Sequence, residues 1–260
     1  IDKVLKEKVS KYGPKQVLLV VDIDNTILKM NQNIGSDQWF SWQAKIMRNK
    51  DCQPACVTKS FTELLKIQGW LFSFSPMVSP EKQTPQIISQ AQSKGVKVIA
   101  LTSRGPEFFS PTMRELKRNK YDFTKSHFGS SIPGFFKPYN KENYKIFGLN
   151  DDDFKKNKGE KVRNALYQEG VFMTSGMNKG VMLKYLMGRF NKKYSAIIFV
   201  DDHEKHMIRM NDILGNHPDL TTFRYSNVDP QVKKFKDSDK KVEITAWTKI
   251  NKVFTEVFAQ

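Results

Sequence analysis

Two carboxylates, Asp22 and Asp24, leave the end of the apolar run at 16–21 together, followed by Asn25 and Thr26. Anions this close repel unless one is protonated or a cation lies between them, and hard oxygen ligands at that spacing suit Mg²⁺. A capped acidic turn and a calcium loop are the plainer readings. An EF-type loop needs glycine at its sixth place and glutamate at its twelfth; Ile27 and Asn33 stand there, so the calcium reading fails. Similar endings recur along the chain. The run at 96–101 closes on Thr102-Ser103-Arg104, the run at 196–200 closes on Asp201-Asp202, and Lys179 opens a helix-like stretch in Asn178-Lys179-Gly180.

Taken together, these residues resemble the haloacid dehalogenase-like superfamily of Mg²⁺-dependent phosphohydrolases. Asp22, Asp24 and Thr26 match its first motif, Asp-x-Asp-x-Thr after an apolar strand. Thr102 matches the second, Lys179 in its Lys-Gly form the third, and the acidic pair Asp201-Asp202 the fourth, all in the superfamily's order. The Thr-Ser-Arg ending is also similar to that of secreted acid phosphatases, and the whole looks nearest to bacterial members. The resemblance implies a Rossmann-like core and hydrolysis of a phosphate monoester, with Asp22 as nucleophile forming an aspartyl-phosphate. Asp24 is then the general acid and later the base, a role worth on the order of 10²–10⁴ in rate. Dehalogenases of the superfamily lack an acid at that place. Positive charge from Mg²⁺ and Lys179 is needed because a phosphate dianion repels an anionic nucleophile.

The implied ligand set for Mg²⁺ is Asp22, Asp24, Asp201 and Asp202, with Asp202 also placed to orient Lys179 or a bound water. Thr102 hydrogen-bonds the transferring phosphoryl group, and Thr26, Ser103 and Arg104 complete the expected substrate contacts. Arg104 has two readings: it grips a second anionic group of the substrate, or it pairs structurally with an acid. Lys184 is the rival to Lys179 but lies more than a turn deeper in the same helix. His203 and His206 invite a zinc reading, which the hard-cation chemistry at Asp22 and Asp24 opposes; a helix-face or substrate-rim role is the alternative. A phosphotransferase or protein phosphatase using the same nucleophile, or a basic non-catalytic binding protein on the same scaffold, are the competing functions.

Positioning these groups requires an α/β fold: a mostly parallel sheet flanked by helices, in which strand C-termini face the ligand crevice. The runs at 16–21, 96–101 and 196–200 read as buried strands, with a shorter fourth at 220–225. The stretch at 85–94 followed by Gly95 reads as a helix and its C-cap. Residues 1–28, 81–104 and 177–260 form the expected catalytic core. Residues 29–80 are expected to be a helical insertion, and 105–176 a second, mixed one; both are cap positions in the superfamily. Trp39, Trp42 and Trp70 are read as packing. Ile244, Trp247, Ile250, Phe254 and Val257 recur at helical spacing, and that helix is expected to cover the sheet.

The chain has 260 residues, 39% hydrophobic and 12% aromatic, enough for a packed core without staples. No apolar run approaches the roughly 20 residues that span a bilayer. Its 43 Lys and Arg against 27 Asp and Glu leave a charge of +16, more than one phosphate needs. The lysines at 155–161 and 233–241 lie outside the motifs and suit a polyanionic substrate, or weak binding to nucleic acid or an acidic membrane surface. Cys52 and Cys56 form a local disulfide in an exported protein or are reduced thiols in a cytosolic one; a zinc site lacks further ligands. The start Ile1-Asp2-Lys3 is compatible with a removed leader and a periplasmic or secreted destination.

Overall fold

The computed structural model describes residues 1–49, 52–157 and 159–258. Lys158, part of the lysine run at 155–161, lies outside the described residues. In chain order the strands are β1 (Val17–Val21), β2 (Lys29–Met30), β3 (Met77–Val78), β4 (Lys97–Thr102), β5 (Leu166–Gln168), β6 (Val171–Met173), β7 (Ala196–Asp201) and β8 (Leu220–Arg224). The helices are α1 (Asp2–Tyr12), α2 (Asp37–Ile46), α3 (Phe61–Phe74), α4 (Thr84–Ser93), α5 (Phe109–Arg118), α6 (Asp151–Lys156), α7 (Lys179–Arg189), α8 (Glu204–Leu214), α9 (Asp229–Asp237) and α10 (Lys241–Phe258).

Six strands form one sheet in the order β5-β6-β4-β1-β7-β8, parallel throughout except for β5, which runs antiparallel to β6. This is a Rossmann-like core. Its central strands are apolar on both faces because helices cover both: every residue of β1 and β7 is buried. Leu18, Val20, Ile99, Phe172, Ile197 and Phe199 pack into one cluster with Val181 and Leu183 of α7 and Met210 of α8.

The chain divides into two compact units, one of residues 1–28 and 79–226, the other of 29–78 and 227–260. These boundaries differ from the expected ones. The interval 105–176 is not set apart from the core: β6 pairs with β4, matching Ala100 to Val171 and Thr102 to Met173, and so extends the sheet. Its two strands have three residues each, too short to stand out as apolar runs. The C-terminal segment, expected with the core, groups instead with 29–78.

In the second unit, Trp39, Leu64 and Phe235 are buried together, with the Trp42 ring edge-on to Phe235 at 6.0 Å. The apolar face of α10 packs within this second unit. Trp247, Ile250 and Phe254 line a cavity of about 380 Å³ with Trp70, Leu71 and Phe74 of α3, and the Trp70 and Phe254 rings stack at 5.8 Å. Cys52 and Cys56 are joined as a disulfide. Among the described residues, no helix is long and apolar enough to cross a membrane.

Candidate active site

The site grows out of strand register. Val21 lies opposite Ala100 on β4 and Val200 on β7, so the next residue, Asp22, emerges beside Asp201. The Asp22 backbone N–H donates to the Val200 carbonyl at 2.9 Å, which fixes the chain where β1 ends. Two steps beyond Ala100, β4 closes on Thr102. Thr102 is buried, and its carbonyl accepts from both the backbone N–H and the hydroxyl of Thr174, at 3.0 and 2.8 Å. All three strands thus deliver their last residues to the same edge of the sheet.

Lys179 arrives from the other side, as the first residue of α7. Asn178 caps that helix, its side-chain oxygen accepting from the N–H groups of Gly180 and Val181. Gly180 allows α7 to lie directly on α8: a Cβ there would stand 2.6 Å from the Arg209 carbonyl oxygen. The Lys179 ammonium is fully buried and lies 2.5 Å from Asp22 Oδ1 and 2.5 Å from Asp201 Oδ2. Lys184, the rival candidate, instead pairs with Asp153 at 2.7 Å.

Burial pushes the Asp22 carboxyl well above the usual carboxylate range, against the pull of Lys179, and the nearby Asp201, Asp202 and Asp24 add to the push. Burial also opposes ionisation of Asp201, but Lys179 and the hydrogen bond from His206 outweigh it and hold that carboxyl low. Lys179 is held above its ordinary value; burial disfavours its charge, and the two carboxylates more than compensate.

Asp22, Asp201 and Asp202 each present an oxygen within 4.8 Å of the others. Ionised together, three carboxylates against one ammonium leave two negative charges, a balance that a bound divalent cation would restore, and the all-oxygen donor set suits Mg²⁺. Asp24, expected to be a fourth ligand, is not in this group. Its carboxylate is held by Arg104, with Nε donating to Oδ2 at 2.8 Å and Nη2 to Oδ1 at 2.7 Å. Of the two readings of Arg104, the paired one is what the structure contains. Thr26 is buried and its hydroxyl donates to Asp22 Oδ2 at 3.3 Å, so it braces the carboxylate it follows. Ser103 is exposed just beyond β4.

The two histidines part company. His203 precedes α8 with its backbone N–H on Asp201 Oδ1 at 2.9 Å, while His206 is buried and places Nδ1 2.8 Å from Asp201 Oδ2. Burial lowers His206 to about 4, so it is neutral near pH 7, and Nδ1 carries the proton it donates to the ionised Asp201. His206 is therefore a support for Asp201, a role the sequence reading did not give it. Its spacing of five from Asp201, in the first turn of the following helix, is the signal that points to it.

Parallel strand ends, a buried lysine bridging two carboxylates and a third acid beside them define a Rossmann-like α/β protein with a candidate divalent-cation site. The chain matches the family described as "Protein of unknown function (DUF2608)" over residues 2–260, and it belongs to that family. No curated protein gives a significant match.

Proposed function

We propose that the chain is a Mg²⁺-dependent phosphatase that hydrolyses a phosphate monoester through a phosphorylated Asp22. The observation that carries this reading is Lys179 lying 2.5 Å from both Asp22 and Asp201 at the strand ends, with Asp202 beside them. A structural ion pair does not require a third carboxylate in the same cluster, whereas a site for a divalent cation makes use of one.

Asp22, Asp201 and Asp202 are the residues that would hold the cation. When bound, Mg²⁺ supplies positive charge that offsets the charge of the phosphoryl oxygens. An Asp22 carboxylate oxygen attacks phosphorus, forming an O–P bond while the bond to the ester oxygen breaks and Asp24 delivers a proton to the departing oxygen. Water then attacks the same phosphorus, Asp24 takes its proton, and the bond to Asp22 breaks to release phosphate. Lys179 favours the ionised form of Asp22 in opposition to its burial, and would offset the charge of the transferring group. Thr102 would donate its hydroxyl to a phosphoryl oxygen, and His206, hydrogen-bonded to Asp201, would hold that carboxylate in orientation.

The test is phosphate release from p-nitrophenyl phosphate with Mg²⁺ and with EDTA, on the native chain and on Asp22→Asn. Release that depends on both the metal and Asp22 is expected. Turnover that survives EDTA and Asp22→Asn together removes the mechanism.

A further inference from the structure

Asp24 must hand over a proton in this reaction, yet in the structure both its oxygens accept N–H bonds from one guanidinium. Each oxygen keeps a second lone pair, but a proton placed there would remove the negative charge that the guanidinium pairs with. The arrangement is a resting state.

The two partners are not equally free to move. The Arg104 side chain is only 8% exposed, whereas that of Asp24 is 30% exposed. Arg104 is also anchored away from Asp24: its Nη1 donates to Thr112 Oγ1 at 2.8 Å, and that hydroxyl in turn donates to the Phe108 carbonyl at 2.6 Å. Thr112 is fully buried on α5. Asp24 is the member that can swing out, and Arg104 is the member that stays. A guanidinium left buried without its anion is strongly destabilising, so Asp24 is released readily only when another anion takes its place. The fork of Nε and Nη2 holds a planar two-oxygen group in the structure, a geometry that a second carboxylate reproduces atom for atom.

Building on the phosphatase reading, we infer that Arg104 exchanges the Asp24 carboxylate for a carboxylate of the substrate, which frees Asp24 to take a proton from solvent and pass it to the leaving oxygen, and makes phosphorylated hydroxy acids the preferred substrate class. Arg104 is then both the specificity-determining residue and the gate on the acid. The exchange also places the substrate's second charge at the end of β4, beside Thr102, to which the Arg104 backbone N–H donates at 3.2 Å.

Steady-state turnover of 3-phosphoglycerate and glycerol 1-phosphate tests this on the native chain with Mg²⁺. Both release a primary alcohol and differ in a carboxylate. The exchange predicts a kcat higher by roughly tenfold or more for the acid, and stimulation of glycerol 1-phosphate turnover by added acetate, which fills the fork in trans. Arg104→Met, checked for folding by circular dichroism, should abolish both the preference and the acetate effect. Equal turnover of the two esters with no response to acetate overturns the exchange, while release from p-nitrophenyl phosphate in the same preparation leaves the phosphatase reading standing. No release from any of the three overturns both.

Discussion

The Lys179 ammonium lies 2.5 Å from Asp22 Oδ1, with both side chains buried at the end of the central strand. A pair in this position is costly unless each member is held by further partners, and the second carboxylate, Asp201, is what completes it.

Lys179→Met leaves two buried carboxylates without their cation. Its expected cost is about 3–5 kcal/mol, read by urea unfolding. Added Mg²⁺ should recover part of that loss, because the same carboxylates are the proposed ligands. A loss under about 1 kcal/mol would mean that Lys179 compensates little buried charge.

His206 sets an acid limit on stability. In the unfolded chain its imidazole takes a proton near its ordinary value of 6.5, whereas burial lowers it to about 4 in the fold. Between those values the unfolded state binds more protons, so stability present above pH 6.5 falls as the pH drops toward 4, by on the order of 3 kcal/mol from this group. Urea unfolding at pH 7 and pH 5 should show a smaller fall in His206→Gln than in the native chain. Parallel falls would assign the acid sensitivity elsewhere.

Gly180→Ala tests the packing that delivers Lys179. The added methyl meets the Arg209 carbonyl at 2.6 Å and must push α7 off α8. The expected destabilisation is about 1–3 kcal/mol. Because the displaced turn carries Lys179, phosphate release should fall by more than the melting temperature would suggest. Unchanged stability would contradict the close approach of the two helices.

The unequal legibility of these features has a physical basis. β1, β4 and β7 are continuous apolar runs with polar ends, so both the sheet and the residues at its edge stand out in the sequence, and Lys179 stands out by its place at the start of a capped helix. β5 and β6 do not, because three residues carry no periodicity and their pairing depends on β4 being in place. The helical spacing of α10 was visible, but spacing names a face and not what the face packs against; the Trp70–Phe254 stack joins two segments 184 residues apart in number. The Arg104–Asp24 pair is likewise long in sequence, and only the geometry distinguishes it from a guanidinium reaching for substrate.

The disulfide Cys52–Cys56 lies in the second unit, and the candidate site residues all lie in the first. Reduction should therefore leave metal-dependent phosphate release within about twofold of the oxidised protein. A loss of activity on reduction, followed by assay on p-nitrophenyl phosphate, would show that the two are coupled.

The central claim is that Asp22 becomes covalently phosphorylated. Acid quenching during turnover of p-nitrophenyl phosphate with Mg²⁺, followed by peptide mass spectrometry, should find one phosphoryl group on the peptide bearing Asp22 and none on that peptide from Asp22→Asn. A phosphoryl group on a different residue, or undiminished phosphate release from Asp22→Asn, would contradict the account.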